Sequence, residues 1–193
     1  MSGKEVFKLE RARGLSIGAT IVGFFGAVWL TLGMVSAGIS YQVGVAVVLP
    51  VFALIVFLGV AVRRRLPAEV ETPEKKQMMQ AFAVVNVVEW VAIFGVVNLL
   101  ANLHLNRWVV PAIVLIVGAH FIPLARIFQS RQHLKTGTAM MLCAAVAVVL
   151  PVSVRDAVEC VSAGLILWIS AAAALRLAFR LAPQRGLVSP AGL

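Results

Sequence analysis

The chain has 193 residues, of which 61% are apolar and only 13% are charged, and its mean hydropathy is +0.98. This composition excludes a soluble globular domain. The formal net charge of +9 would suit a nucleic-acid-binding protein, but the basic residues lie between long apolar segments. We therefore expect an integral membrane protein that is surrounded by the lipid bilayer and has no nucleic acid partner.

Six segments are long and apolar enough to cross about 30 Å of hydrocarbon at about 1.5 Å per helical residue. We predict transmembrane helices at residues 15–35, 43–62, 81–100, 108–124, 138–152 and 158–177, of which the fifth is the shortest. Short connections pair them as three antiparallel hairpins. The predicted fold is therefore all-α, with a single six-helix transmembrane domain over residues 1–193.

The basic residues are distributed asymmetrically along this pattern. If six helices alternate in direction, fifteen of the 17 Lys and Arg residues fall on one side of the membrane, and only Arg107 and Arg155 fall on the other. Loops rich in Lys and Arg stay on the cytoplasmic side. Both termini are predicted to be cytoplasmic, and the expected location is the inner (plasma) membrane of a bacterium, crossed several times by the chain.

The first predicted helix is rich in glycine, and Gly14 and Gly18 form a Gly-x-x-x-Gly pattern. Small residues allow helices to approach closely in a membrane, where burial of apolar surface gives little driving force. Two interpretations stay open. The glycines pack against another helix of the same chain, or they form a seam through which the chain makes a homo-oligomer.

Two later helices have recognisable starts. Thr72 is a suitable cap and Pro73 suits a first helical position, so the third helix is predicted to begin in water before it enters the membrane. Ser153 and Asp156 have the spacing of a capping box at the start of the sixth helix. Capping and contact with interfacial water then explain Asp156 and its neighbour Glu159.

Glu89 lies deep inside the third predicted span. A carboxylate at the centre of a membrane helix costs about 2.5–3.5 kcal/mol on insertion scales, so it usually faces the bundle interior or serves a function. Asn86 and Trp90 lie near it on one helix face. Because tryptophan usually sits at the headgroup level, Trp90 near mid-span is interpreted as the wall of a pocket.

His120 is the predicted partner of Glu89. In an antiparallel hairpin that turns at His104 and Leu105, residues whose numbers sum to about 209 lie at equal depth, which places Glu89 level with His120. Pro123 lies three residues further on and cannot donate to the helix backbone, which loosens the helix there. The predicted site, for a small molecule or a proton, consists of Glu89, His120, Asn86, Trp90 and Pro123.

This acid and imidazole pair has two interpretations. Removal from water and mutual attraction shift the pKa values of such groups in opposite directions. When the two groups are in close contact, they can share one proton and titrate as a unit. A proton relay or a proton-coupled carrier needs such a unit. Alternatively, the pair only holds the third and fourth helices in register.

Residues 118–126 read Gly-Ala-His-Phe-Ile-Pro-Leu-Ala-Arg. This stretch resembles a segment with the pattern Gly-x-His-Phe-x-Pro-Leu-Ala in small, uncharacterised bacterial multi-pass membrane proteins. The resemblance covers the end of one helix. It implies a multi-pass membrane fold and brings no assigned activity.

Three classes of function follow from these observations. The favoured one is a small transporter or proton-coupled carrier. The others are an assembly or scaffold subunit whose polar residues only specify helix packing, and an intramembrane enzyme that acts on a lipid-like substrate. One histidine within the spans is too few for a zinc site, which typically needs three or four ligands. No catalytic residues, cofactor or metal site are predicted.

Overall fold

The structure, a computed structural model, describes residues 3–67 and 73–183. In these ranges the chain forms six α-helices, and a short 3₁₀ turn at Asn106–Trp108 precedes the fourth. The all-α fold is confirmed. The helices are α1 Gly3–Ser36, α2 Tyr41–Arg63, α3 Pro73–Asn102, α4 Val109–Ile127, α5 Arg131–Ala147 and α6 Val152–Leu181.

Five of these helices are long and apolar enough to cross a membrane, counting α4 together with the 3₁₀ turn before it. The exception is α5, which has 17 residues. It begins at Arg131 rather than at residue 138, because the polar side chains of its first turns find hydrogen-bond partners inside the bundle. It ends at Ala147 rather than at residue 152, shortly before Pro151, which has no backbone N–H to continue a helix.

The two predicted helix starts have different outcomes. Pro73 is the first residue of α3, as the sequence predicts, while the proposed cap Thr72 lies outside the described residues. The capping box at Ser153 is wrong. Because α6 begins at Val152 directly after Pro151, Ser153 lies inside the first turn, and the start of α6 has no side-chain cap.

The centre of the bundle is the antiparallel contact between α1 and α6. A Cβ atom added to Gly164 would lie 2.9 Å from the carbonyl oxygen of Gly26, and one added to Gly33 would lie 2.8 Å from the backbone nitrogen of Val161. The glycines of both helices therefore allow backbone-to-backbone approach within one chain. A Cβ atom added to Gly14 or Gly18 would meet no atom of the described residues within 4 Å, so these two glycines take no part in this contact.

A second close contact joins α4 and α5, where Gly118 lies against Gly137. Buried side chains from α4, α5 and α6 surround it and form the main apolar core, which includes Val114, Phe121, Met140 and Leu167. This arrangement fixes the positions of His120 and of its neighbours in α5.

Helix α3 lies at the edge of the bundle. In the described part of the chain it packs mainly against α4 and the 3₁₀ turn before α4. Its other faces carry large apolar side chains that no helix covers, among them Val84, Val87, Val91 and Phe94. In a membrane these faces meet lipid or another chain.

Candidate functional site

The candidate site lies where α3 meets α4. The chain reverses direction after α3 at His104, whose positive φ of 55° belongs to the left-handed region, and the Leu105 N–H donates to the carbonyl of Leu100. This short connection makes α3 and α4 antiparallel neighbours. It brings Glu89 and His120 together: the Glu89 Oε2 atom lies 3.4 Å from the His120 Nδ1 atom.

Both side chains of the pair are withdrawn from the surface. The side chain of His120 is 8% exposed and that of Glu89 is 13% exposed. The Nδ1 atom of His120 does not point at the carboxylate with the geometry of a hydrogen bond. The contact therefore has the distance of an ion pair but not the alignment of a hydrogen bond.

The other predicted site residues, Asn86, Trp90 and Pro123, lie in three different surroundings. Asn86 is half-buried and donates from Nδ2 to the carbonyl of Phe82 in its own helix at 2.8 Å, which explains its orientation without a ligand. Trp90 is 60% exposed, so the structure does not bring its indole to the pair, because that side of α3 faces away from α4. Pro123 is half-buried inside α4, and the helix continues past it to Ile127.

A second histidine, which the sequence analysis missed, lies close to the pair. His133 packs against Phe121 and Phe128, with ring centroids 5.9 Å and 5.7 Å away. Its Nδ1 atom is buried and has no hydrogen-bond partner among the residues that the structure describes. Phe121 also contacts the ring of His120 at 6.1 Å. His133 was placed outside the fifth span because α5 was predicted to begin at residue 138. Its flanking basic residues gave no signal that it is buried.

Polar side chains of α5 and α6 form a small network beside this region. Thr136 donates to the hydroxyl oxygen of Ser170 at 2.8 Å, and Gln132 donates to the Ser170 carbonyl and, at 3.3 Å, to its hydroxyl oxygen. These bonds satisfy buried polar groups and fix the register of the two helices. The network is therefore structural.

Gly14-Leu15-Ser16-Ile17-Gly18 matches the Gly-x-Ser-x-Gly pattern of hydrolase nucleophiles, which the sequence analysis also missed. That pattern needs a sharp turn between a strand and a helix, with the serine exposed. Ser16 lies in the middle of α1, is fully buried, and donates to the carbonyl of Arg13 at 2.8 Å. Ser16 therefore does not have the position of a hydrolase nucleophile.

Glu159 and Arg155 are buried where α6 begins, beside Trp108. Glu159 is 1% exposed and neither of its carboxylate oxygens has a hydrogen-bond partner in the described residues. The interpretation of Glu159 as an interfacial, solvated residue is wrong, because α5 covers it. The Arg155 guanidinium lies 4.5 Å from the centre of a Trp108 ring and donates to the carbonyl of Leu150 at 2.9 Å.

The Glu89 and His120 pair is thus an acid and a base in contact, mostly removed from solvent, and between them they can hold or pass one proton. The described residues contain no group of three or more His, Cys, Asp or Glu side chains that could hold a metal ion. In comparisons with known proteins, no family model, no curated protein and no solved structure matches the chain.

Proposed function

We propose that the chain is a small carrier of the bacterial inner membrane in which Glu89 and His120 bind and release a proton as a solute moves. The observation that carries this proposal is the 3.4 Å contact between two ionisable side chains on adjacent apolar helices. An ionisable group within the membrane is expensive, and such groups usually mark ion or proton pathways. A pair in contact can exchange one proton without leaving a net charge in hydrocarbon.

The proposal includes six crossings, with both termini in the cytoplasm. The supporting observation is that α5 packs between α4 and α6 and runs antiparallel to both, through Gly137 against Gly118 and Thr136 against Ser170. A helix of 17 residues lies at the lower limit of about 17–25 residues for a crossing. The asymmetric distribution of Lys and Arg supports the orientation.

The test uses the full chain reconstituted in proteoliposomes on a solid-supported membrane. A pH jump should produce a transient current in the native protein, and Glu89→Gln should abolish it. The matched control is Glu10→Gln, which removes an exposed acid near the start of α1 and should leave the current unchanged. If Glu89→Gln folds and still gives the native current, the pair carries no proton and the proposal fails.

A second candidate function is that of an assembly subunit, and the position of α3 favours it. This helix packs mainly on one neighbour and leaves an apolar face uncovered. In this case the Glu89 and His120 pair only sets the register of α3 on α4. Both Glu89→Gln and His120→Asn would then lower the melting temperature in detergent, and the native protein would give no pH-driven current.

The glycines of α1 bear on the oligomeric state. Gly26 and Gly33 are covered by α6, whereas a Cβ atom added to Gly14 or Gly18 would meet nothing within 4 Å in the described part of the chain. A homo-oligomer through α1 would therefore use Gly14 and Gly18. Gly18→Leu should then shift the particle mass measured by light scattering in detergent, and an unchanged mass would exclude this seam.

A further inference from the structure

An exposed groove runs between α5 and α6. Close to the connection between the two helices it widens into an open cleft of about 240 Å³, lined mostly by apolar side chains. Leu142 and Val146 of α5 and Val158 of α6 line this cleft and are exposed. Leu165 and Ile169, also exposed, continue the wall of α6 away from the cleft, because spacings of seven and four residues keep them on the face of Val158. The groove therefore offers an apolar surface to a long hydrocarbon chain.

Three exposed basic side chains lie at the other end of this groove. They are Arg131 and Lys135 of α5 and Arg176 of α6. Lys135 precedes Leu142 by seven residues, which is about two helical turns, and so lies on the same face of α5. Arg176 follows Ile169 on α6 with the same spacing. Both apolar walls of the groove thus continue into positive charge.

The three cations lie at nearly the same level of the bundle. Thr136 donates to the hydroxyl oxygen of Ser170 across the antiparallel pair, so residues whose numbers sum to about 306 lie level. Arg131 is then level with the residue before Arg176, and Lys135 lies one turn closer to the middle of α5. A long Lys side chain can extend from that depth toward the headgroups. One phosphate group at this level is therefore within reach of side chains from both helices.

No acid of α5 or of the adjoining half of α6 compensates these charges. Residues 90–155 and 160–193 contain no Asp or Glu, and the two acids of α6, Asp156 and Glu159, lie near its opposite end. None of the three cations forms an ion pair or a hydrogen bond with the described residues. The groove thus has a positive end that suits an anion and an apolar length that suits a hydrocarbon chain.

We propose that this groove binds an anionic phospholipid, with its phosphate on Arg131, Lys135 and Arg176 and one acyl chain between α5 and α6. From Lys135 to Val146 the groove is about 16 Å long at about 1.5 Å per residue. One leaflet occupies half of a hydrocarbon thickness of about 30 Å, so a chain anchored at the basic end reaches the cleft. In the proposed orientation this lipid belongs to the cytoplasmic leaflet, whose anionic headgroups attract basic residues. A zwitterionic headgroup brings a cation of its own and would leave the positive charge uncompensated.

The test measures the melting temperature of the purified full chain in dodecyl maltoside with increasing dioleoyl phosphatidylglycerol, and with dioleoyl phosphatidylcholine as the zwitterionic lipid of equal chains. Phosphatidylglycerol should raise the melting temperature in a saturable way, and phosphatidylcholine should not. Lys135→Gln and Arg176→Gln should each weaken the apparent affinity about fivefold, which is the contribution of one basic residue near an anionic headgroup. The matched controls Lys8→Gln and Arg11→Gln remove exposed basic residues of α1, outside the groove, and should leave the affinity unchanged. Glu89→Gln should also leave it unchanged, which separates this site from the proposed proton site.

A further variant keeps the charges and changes the apolar wall. Ala139→Trp fills the groove between Lys135 and Leu142, so it should also weaken the binding of phosphatidylglycerol. Glycerol 3-phosphate, which has a phosphate but no acyl chains, should have no effect. Equal stabilisation by the two lipids, or an equal loss of affinity in Lys8→Gln and Lys135→Gln, overturns the proposal. Native affinity in Ala139→Trp, or stabilisation by glycerol 3-phosphate as strong as that by the lipid, overturns it as well.

Discussion

Gly137 is the position at which a single methyl group tests how closely α4 and α5 must pack. A Cβ atom added there would lie 2.5 Å from the carbonyl oxygen of Gly118 and 2.8 Å from the Cβ atom of Phe121. Both neighbours are fixed to the backbone of α4, so no side-chain rotation relieves the overlap. In Gly137→Ala the two helices must move apart.

The expected cost follows from a comparison with Gly95→Ala in α3, where an added Cβ atom meets nothing within 4 Å. Overpacking of a close contact costs about 1–3 kcal/mol. Replacing a helical glycine by alanine gains up to about 1 kcal/mol of helix propensity, but this gain is common to both variants and cancels in their difference. Gly137→Ala should therefore be less stable than Gly95→Ala by about 1–3 kcal/mol.

The measurement is the melting temperature of both variants in dodecyl maltoside, followed by intrinsic tryptophan fluorescence. At about 2–4 °C per kcal/mol for a chain of this size, the two should differ by about 2–12 °C. If Gly137→Ala melts at or above the temperature of Gly95→Ala, the close approach of α4 and α5 at Gly118 is refuted. The position of His120, two residues further along α4, would then also be in doubt.

Two further predictions concern polar contacts. Thr136→Val should lower the free energy of unfolding by about 0.5–1.5 kcal/mol, because it removes the 2.8 Å hydrogen bond to Ser170. Thr138→Val, on the exposed side of α5, should lower it less, and equal melting temperatures of the two variants would contradict this prediction. In a double-mutant cycle, Glu89→Gln and His120→Gln should show a coupling energy of about 0.5–3 kcal/mol in thermal unfolding, whereas additive effects would mean that their contact contributes nothing.

Hydropathy was enough to predict where most helices lie, but not that α1 packs most extensively on α6 and α4 on α5. A short connection between two apolar helices leaves an antiparallel hairpin as the simple solution, and residues equidistant from the turn then lie at one depth. Glu89 and His120 were chosen in this way. The rotation of α3 about its own axis was harder to predict, because it depends mainly on one neighbouring helix. Trp90, which was expected to line the site, therefore lies on the outer face of α3.

The errors in the bounds of α5 and in the surroundings of Glu159 have one origin. Polar residues such as Gln132 and Thr136 lower the local hydropathy, and α5 was therefore predicted to begin only at residue 138. In the structure these groups bond to Ser170 inside the bundle. The earlier start and earlier end of α5 bring its outer half against Glu159. The Sγ atom of Cys143 in α5 accordingly lies 3.9 Å from the carbonyl oxygen of Glu159.

The sequence did contain a signal for the burial of Glu159. It falls on the stripe of α6 that continues through Ala163, Ser170 and Ala174, all of which are buried. A row of small residues at helical spacing indicates the face on which another helix packs closely. For an acid near a helix end, the face on which it lies is therefore a better guide to its burial than its distance from that end.

The helices of the bundle are not all held equally tightly, and this difference in packing affects how the proposed proton site would work. Glycine contacts hold α1 to α6 and α4 to α5, where backbones meet directly and little movement is possible. Helix α3 has no comparable contact in the described residues, since a Cβ atom added to Gly95 would meet nothing there within 4 Å, and His120 contacts α3 at Glu89. A change of protonation at this pair therefore acts on the helix that is least held by packing. For a carrier, α3 is thus the element most readily displaced by proton binding, and for an assembly subunit its uncovered face is the surface on which a second chain would pack.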